Sequence, residues 1–166
     1  EDGGQYEALL VGSDAATDLA VLKIDAQGLT PAEFGDSDQM EVGDVVVAIG
    51  NPMGEELRGT MTDGILSAIN RDMEVEGRQM TLLQTTAALN TGNSGGALVD
   101  DEGKLIGINT LITSYSGNYS GVGFAIPVNY AINLAQQIIA GETPTHAQLG
   151  VSLSTVSAAT ASRYGL

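Results

Sequence analysis

The chain has 166 residues, a length that suits one domain of ordinary size or two small half-domains. Six Lys and Arg against 21 Asp and Glu give a formal net charge of −15, so nucleic acid and anionic membrane surfaces are disfavoured as partners. The chain has no Cys, which excludes disulfides, a thiolate nucleophile and thiolate-bound zinc. Apolar residues make up 43% and glycine is abundant, with 22 copies, which favours a folded chain of short strands and many turns.

Aliphatic segments predict strands along most of the chain. The first two lie at residues 6–11 and 19–24, on either side of a polar loop. Six more short strands are predicted at residues 45–49, 60–69, 80–85, 97–99, 105–113 and 122–126. Asp100 to Lys104 predicts a hairpin turn in which Gly103 supplies a positive φ. This spacing is typical of a barrel or a sandwich.

One helix is predicted after the last of these strands. Apolar residues recur every three or four positions from Val128 to Ile139, Pro127 suits a first helical turn, and Gly141 is a natural stop. Residues 142–146 predict a linker, and residues 149–153 predict a strand that opens a second domain.

A glycine-rich turn holds the strongest chemical signal. Ser94 lies among three glycines, Gly92, Gly95 and Gly96, between two predicted strands. Such a turn can point the N–H groups of Gly92 and Ser94 at the oxyanion of a tetrahedral intermediate. An ordinary Gly-Ser turn explains the same residues, so the motif by itself leaves both interpretations open. A phosphate-binding loop is disfavoured, because no Gly-Lys-Ser/Thr follows and the segment leads into a strand.

Five segments, in this order, resemble the trypsin-like serine proteases of the HtrA/Deg family. They are the Asp-bearing segment 17–24, the Gly-Asn-Pro loop 50–54, the nucleophile loop 87–96, the stretch 121–127 that leads into a helix, and the PDZ-like start 149–151. The resemblance covers nearly the whole chain. It implies an all-β, trypsin-like double β-barrel with its first barrel truncated, one C-terminal helix and the start of a PDZ domain.

The same resemblance implies a division of the chain. Residues 1–28 are expected to be the remnant of the N-terminal protease barrel and residues 29–127 the C-terminal barrel. Residues 128–141 form the helix, 142–148 the linker, and 149–166 the start of a PDZ domain. On this interpretation the chain is a fragment of a longer protein.

The resemblance also assigns roles to individual residues. Ser94 becomes the nucleophile, Asp18 the carboxylate that orients a histidine, and Gly92, Asn93 and Ser94 the oxyanion hole. Without the resemblance, Asp18 is read as a solvated or capping residue at a strand start. The implied substrate-binding residues are Leu89 and Ile112 at the primary specificity pocket, and Asn109, Thr110 and Leu111 along an added substrate strand. For Leu89 and Ile112, plain core packing is an equal alternative.

The specificity pocket is predicted to be apolar. Trypsin-type enzymes carry an acidic residue six positions before the nucleophile, and this chain has Ala88 there. Small or medium aliphatic side chains are therefore favoured and tryptic cleavage is disfavoured. Thr86 and Thr91 also depart from the residues common in the family, which leaves the support of the nucleophile loop open.

The general base is missing from the sequence pattern. No His precedes Asp18, and His146, the one His of the chain, is expected to be a solvated linker residue. A Ser hydroxyl is a weak nucleophile without a base. This chain alone is therefore expected to be practically inactive.

The resemblance implies a function for the longer protein. It is a serine endopeptidase of protein quality control that cleaves unfolded or misfolded polypeptides through an acyl-enzyme at Ser94, with no cofactor and no metal. It acts outside the cytoplasm, in the periplasm or at the cell surface, carries a signal or membrane anchor, and assembles as trimers or their multiples. The alternative is a non-catalytic peptide-binding or chaperone module of the same fold, which an upstream His would argue against. A third hypothesis, an unrelated extracellular β-domain, requires that Asp18 and Ser94 lie apart.

Overall fold

The computed structural model describes residues 4–52, 54–75, 77–112, 121–146, 156 and 158–165. Within these residues the strands are β1 (Ala8–Asp14), β2 (Leu19–Ile24), β3 (Val45–Gly50), β4 (Thr60–Val75), β5 (Arg78–Thr85), β6 (Ala97–Asp100), β7 (Leu105–Ile112) and β8 (Gly123–Pro127). The helices are α1 (Val128–Ile139) and α2 (Ala158–Tyr164), and a 3-10 turn spans Glu55–Leu57. No helix in these described parts has both the length and the apolar character needed to cross a membrane.

Strands β3 to β8 close into an antiparallel barrel with the order β3-β4-β5-β8-β7-β6. The predicted barrel is thereby confirmed, as is the β6–β7 hairpin, where Gly103 has φ 80° and donates its N–H to the Asp100 carbonyl at 3.1 Å. Alternating strand residues fill the barrel because successive side chains point to opposite faces of each strand. The buried cluster is Val46, Ala48, Leu66, Leu83, Ala87, Leu89, Leu98, Ile106 and Ala125.

Strand β4 extends six residues past the predicted end at Ile69. Its outer part pairs with the start of β5 from Arg71↔Leu82 to Val75↔Arg78. Asn70 has φ 51° beside an irregularity in the register, so the strand bends there. This outer arm was missed because it starts with the polar residues 70–72 and its apolar alternation is only Met73 and Val75, which are half-buried against the cluster that contains Leu82.

Strands β1 and β2 form a separate two-stranded sheet. The sheet rests on α1, where Gly12 lies so close to Ile138 that a Cβ at Gly12 would come within 2.8 Å of Ile138 Cγ2. Much of its remaining apolar surface is open to solvent, since Leu9, Leu10 and Leu22 are 68%, 57% and 62% exposed. Two strands bury too little surface to fold alone, so α1 holds this sheet in place.

The predicted helix is confirmed as α1. Val128, Ala131 and Leu134 are buried on one face. Gly141 has φ 76° and donates its N–H to the Ile138 carbonyl at 3.0 Å, which ends the helix. The strand predicted at residues 149–153 lies outside the described residues. The short helix α2 was not predicted, because its sequence, AATASRY, lacks an apolar repeat.

Candidate active site

The loop that carries Ser94 joins β5 to β6 and is shaped by its glycines. Gly92 has φ 103°, and a Cβ there would collide with the Asn51 carbonyl oxygen. Gly96 also has no room for a side chain, because a Cβ would collide with the carbonyl oxygen of Ile49. The Gly-Asn-Pro segment therefore packs directly against the nucleophile loop, and only glycine fits at either position.

Backbone hydrogen bonds fix this loop on β7. Gly95 donates its N–H to the Asn109 carbonyl at 2.7 Å, and Asn109 donates back to Gly96 at 2.9 Å. The N–H of Asn93 bonds the Asn90 carbonyl at 3.0 Å. Among the described residues, the N–H groups of Gly92 and Ser94 have no backbone acceptor. These two donors are therefore available to a ligand.

The Ser94 side chain is exposed and lies against β7. Its hydroxyl donates to the Thr110 carbonyl oxygen at 3.0 Å. The Thr110 hydroxyl in turn donates to Asp18 Oδ2 at 3.1 Å. Ser94 and Asp18, 76 positions apart in the sequence, thus both contact one residue, Thr110. The hypothesis of an unrelated β-domain, which required them to lie apart, is wrong.

Asp18 sits in the loop between β1 and β2 in an unusual conformation. Its φ is 62°, a left-handed value that costs a non-glycine residue energy and that often marks a functional position. A second partner from the barrel, Arg78, places Nη1 3.4 Å from Asp18 Oδ1. Both carboxylate oxygens of Asp18 therefore contact residues of the β3–β8 barrel.

A pocket of about 210 Å³ lies beside Ser94. Its described lining is Leu89, Asn90, Thr91, Gly92, Asn93, Ser94, Asn109 and Thr110. Leu89 is 2% exposed and belongs to the barrel core, so pocket lining and core packing both apply to it. Leu111 and Ile112 lie on β7, and their side chains fall outside what the structure describes.

Asn109 is tied to the barrel. It is 1% exposed, and its Nδ2 donates to the Ala97 carbonyl at 2.9 Å and to the Ile49 carbonyl at 3.4 Å. Because its backbone groups already bond the Ser94 loop, Asn109 braces three barrel strands against that loop. Its predicted place along a substrate strand stays a prediction.

Comparisons with known proteins identify relatives of this chain. Residues 1–108 fit the model of the trypsin-like peptidase domain. The chain belongs to the trypsin-like peptidase family. A probable periplasmic serine endoprotease DegP-like of Chlamydia pneumoniae is 45% identical over 99% of this chain and 33% of the relative. A probable periplasmic serine protease do/HhoA-like of Haemophilus influenzae is 50% identical over 84% of this chain and 30% of the relative.

Solved structures agree. The HtrA-type protease AlgW with decapeptide superposes with a TM-score of 0.84 at 46% identity, covering 99% of this chain and 50% of that one. The same protease with tripeptide gives 0.77 at 51% identity, over 81% and 44%. The resemblance to HtrA/Deg proteases and the mostly β, trypsin-like fold are thereby confirmed. The chain spans about a third of the length of the curated relatives.

Thr86 and Thr91, the two threonines that depart from the common family residues, have different surroundings in this trypsin-like domain. Thr86 exchanges hydrogen bonds with β4, donating its N–H to the Ile65 carbonyl and accepting the Ile65 N–H on Oγ1, each at 3.0 Å. Thr91 lines the pocket beside Ser94. The strand before the nucleophile loop is therefore anchored even though Thr86 carries no charge.

His146 lies away from Ser94. It is exposed in the segment after α1, as expected of a solvated residue there, but its ring nitrogens also lie 3.2 Å from Asp14 Oδ1 and 3.2 Å from the Tyr130 hydroxyl. Burial raises the pKa of Asp14, but hydrogen bonds from Thr17 and the contact with His146 outweigh it and hold that pKa below its ordinary value. No contact joins His146 to Ser94 or Asp18 in the described structure.

Two features of the site around Ser94 and Asp18 were not predicted from the sequence. Arg78 was not singled out, because nothing in the sequence ties the start of β5 to the β1–β2 loop. Thr110 was assigned only to substrate binding, whereas its hydroxyl also bonds Asp18. A signal for Thr110 was present, since a hydroxyl residue on the strand beside the nucleophile loop can reach a nearby carboxylate.

Proposed function

We propose that this chain carries the nucleophile of a serine endopeptidase of the HtrA/DegP type, with Ser94 as nucleophile and Asp18 as the orienting carboxylate. The observation that carries the proposal is the meeting of Ser94 and Asp18 on Thr110, beside a pocket and two unused backbone N–H groups. The curated relatives, named as serine endoproteases, support it. Because the chain spans a third of their length, the activity is that of the longer protein.

The chemistry follows from the groups present. In the full protein, a His from the residues outside this chain takes the Ser94 proton as Oγ bonds the substrate carbonyl carbon. The N–H groups of Gly92 and Ser94 stabilise the oxyanion. The imidazolium, held by Asp18, then gives its proton to the amine as the C–N bond breaks, and water hydrolyses the acyl-enzyme. The resting hydrogen bond from Ser94 to Thr110 has to break before the hydroxyl can turn to the base.

We extend the proposal to domains, substrates and location. Residues 1–28 complete an N-terminal barrel with the missing part, 29–127 form the C-terminal barrel, 128–141 the helix, 142–148 the linker, and 149–166 begin a PDZ domain. Substrates are unfolded polypeptides, the location is extracytoplasmic, and the assembly is a trimer or a multiple of it. Support comes from relatives named as periplasmic proteases. The proposal also includes a membrane anchor in the full-length protein.

The experiment is active-site labelling of the full-length protein with a fluorophosphonate probe, followed by peptide mapping. We expect label on Ser94 in the wild type, none in Ser94→Ala, and at least about 100-fold slower labelling in Asp18→Asn, because the imidazole loses its orienting partner. The 166-residue chain alone serves as the base-free control and should react only at the residual rate of the oxyanion hole.

A non-catalytic peptide-binding module of the same fold is the second candidate. The hydrogen bond that ties the Ser94 hydroxyl to the Thr110 carbonyl at 3.0 Å favours it. The residue at the base position of the full-length protein discriminates: a His supports the protease, and another residue supports the binding module. Under this candidate the folded, full-length protein binds denatured polypeptide and remains unlabelled at Ser94. That result would overturn the protease proposal.

A further inference from the structure

The loop that carries Asp18 is short and its backbone is strained. It spans the four residues between β1 and β2, and Asp18 itself adopts φ 62°. Within this chain the Asp18 side chain is 52% exposed, so its hydrogen bond and ion pair, rather than burial among this chain's residues, hold it. A carboxylate that must orient a base needs its own position fixed, and a strained residue persists only where neighbouring contacts determine it.

Arg78 supplies such a contact. As the first residue of β5, it places Nη1 3.0 Å from the Ala15 carbonyl and 3.4 Å from Asp18 Oδ1. One nitrogen therefore bridges the first and last residues of the loop. Its Nε bonds the Val75 carbonyl at 3.4 Å, which fixes the guanidinium on its own hairpin.

Thr110 and Arg78 contact different oxygens of the Asp18 carboxylate. The Thr110 hydroxyl takes Oδ2, and Arg78 takes Oδ1. They belong to different strands of the barrel, β7 and β5, so the two contacts hold Asp18 from two directions. An Arg suits this role because its planar fork offers several donors at once, whereas Lys offers a compact point charge.

We propose that Arg78 is a positioning residue that fixes Asp18 and balances part of its charge. This rests on the proposed function. Other charged groups near this loop are Asp14 and His146, which pair with each other at 3.2 Å, and Asp38, which lines a pocket with Ala16 and Thr17. None of the three has a described contact with Asp18. Among the described residues, Arg78 is the cation in contact with the Asp18 carboxylate.

Charge balance predicts a pH effect that mere loss of packing does not. A positive guanidinium beside Asp18 partly cancels the negative field that favours the imidazolium of the triad. Removing that charge therefore favours the protonated base, and the acidic limb of the kcat/KM profile moves to higher pH. We expect a shift of about 0.3 to 0.5 pH unit, because the guanidinium acts on the imidazole across the Asp18 carboxylate and solvent and salt screen part of that interaction.

The test uses the full-length protein and compares Arg78→Gln, Arg78→Lys and the charge control Lys23→Gln on β2. For Arg78→Gln we expect kcat about 3- to 10-fold lower with KM within about twofold, plus the upward shift of the acidic limb. Arg78→Lys should keep the wild-type limb and lose part of kcat, and Lys23→Gln should match wild type in both. Circular dichroism checks that all variants fold.

Wild-type kcat and an unmoved limb in folded Arg78→Gln would overturn the proposal. A lower kcat with an unmoved limb would also overturn it, because Arg78 would then act on the loop without balancing the Asp18 charge. Ser94→Ala separates the two levels of inference. If Ser94→Ala retains activity, the proposed function fails; if it is inactive while Arg78→Gln matches wild type, only the role of Arg78 fails.

Discussion

Thr110 donates its hydroxyl to the Asp18 carboxylate at 3.1 Å across 92 positions of sequence. Its carbonyl oxygen accepts the Ser94 hydroxyl at 3.0 Å. One residue of β7 thus contacts both candidate catalytic side chains with different atoms. The side-chain contact can be removed while the backbone contact stays.

Replacing Thr110 with Val removes the hydroxyl and keeps the shape of the side chain. We expect kcat of the full-length protein to fall about 10-fold with little change in KM, because a hydrogen bond to a charged carboxylate is lost. Thr110→Ser retains the hydroxyl and should keep most of the activity. Steady-state kinetics on a peptide substrate measures both, and equal rates for the Val and Ser variants would contradict a role for the hydroxyl.

Gly92→Ala should disrupt the nucleophile loop. A Cβ at Gly92 meets the Asn51 carbonyl, while Gly43 has the same φ of 103° with nothing within 4 Å of a Cβ. Gly43→Ala therefore pays only the backbone strain, about 1–2 kcal/mol of unfolding free energy. Gly92→Ala should cost more and should also abolish labelling of Ser94. Urea unfolding and probe labelling test this, and equal stability losses in the two variants would count against the clash.

Asp14 should make stability depend on pH in the acid range. Its pKa is lowered in the folded state, so its stabilising contribution is present above the unfolded pKa of about 3.9 and is lost as pH falls through the folded value. Asp14→Ala also removes the cap on Thr17, where the Thr17 N–H bonds Oδ2 at 3.0 Å.

We expect Asp14→Ala to cost about 1 kcal/mol between pH 5 and 7, and the difference from wild type to shrink below about pH 4. Thermal unfolding of both proteins from pH 3 to 7 measures it. Asp14→Asn keeps a side-chain acceptor for Thr17 and should show a smaller loss at neutral pH. A difference that stays constant down to pH 3 would refute the ionic part of this account.

The pocket beside Ser94 should select small aliphatic residues on the acyl side of the cleaved bond. Its described lining has no Asp or Glu and includes Leu89. A cationic side chain would find no counter-charge there and would lose its hydration, so we expect kcat/KM for Val to exceed that for Arg by at least about 10-fold. A peptide series varied at that one residue, with Ser94→Ala as the blank, measures the ratio. A preference for Arg would show that the pocket is wrongly assigned.

Local sequence determined most of the secondary structure. Segments rich in aliphatic residues predicted the eight strands, the recurrence from Val128 to Ile139 predicted α1, and Gly103 and Gly141 marked their turns, because these signals need only a few neighbouring residues. The Ser94 loop was recognised for the same reason, since its chemistry lies in consecutive residues. The outer arm of β4 carried only a short signal, because its apolar alternation is limited to Met73 and Val75 after a polar stretch.

Tertiary structure decided the contacts that join distant segments. Closure of the barrel places Thr110 beside Ser94, and the packing of the β1–β2 sheet against α1 brings Asp18 to Thr110 and Arg78. His146 turned out to hold Asp14 and Tyr130 for the same reason. Such contacts depend on how strands and helices pack rather than on the spacing of residues in the chain. The sequence by itself therefore determined the strands, the helix and the Ser94 loop. Only the packing of the barrel, the β1–β2 sheet and α1 decided which distant side chains meet at that loop.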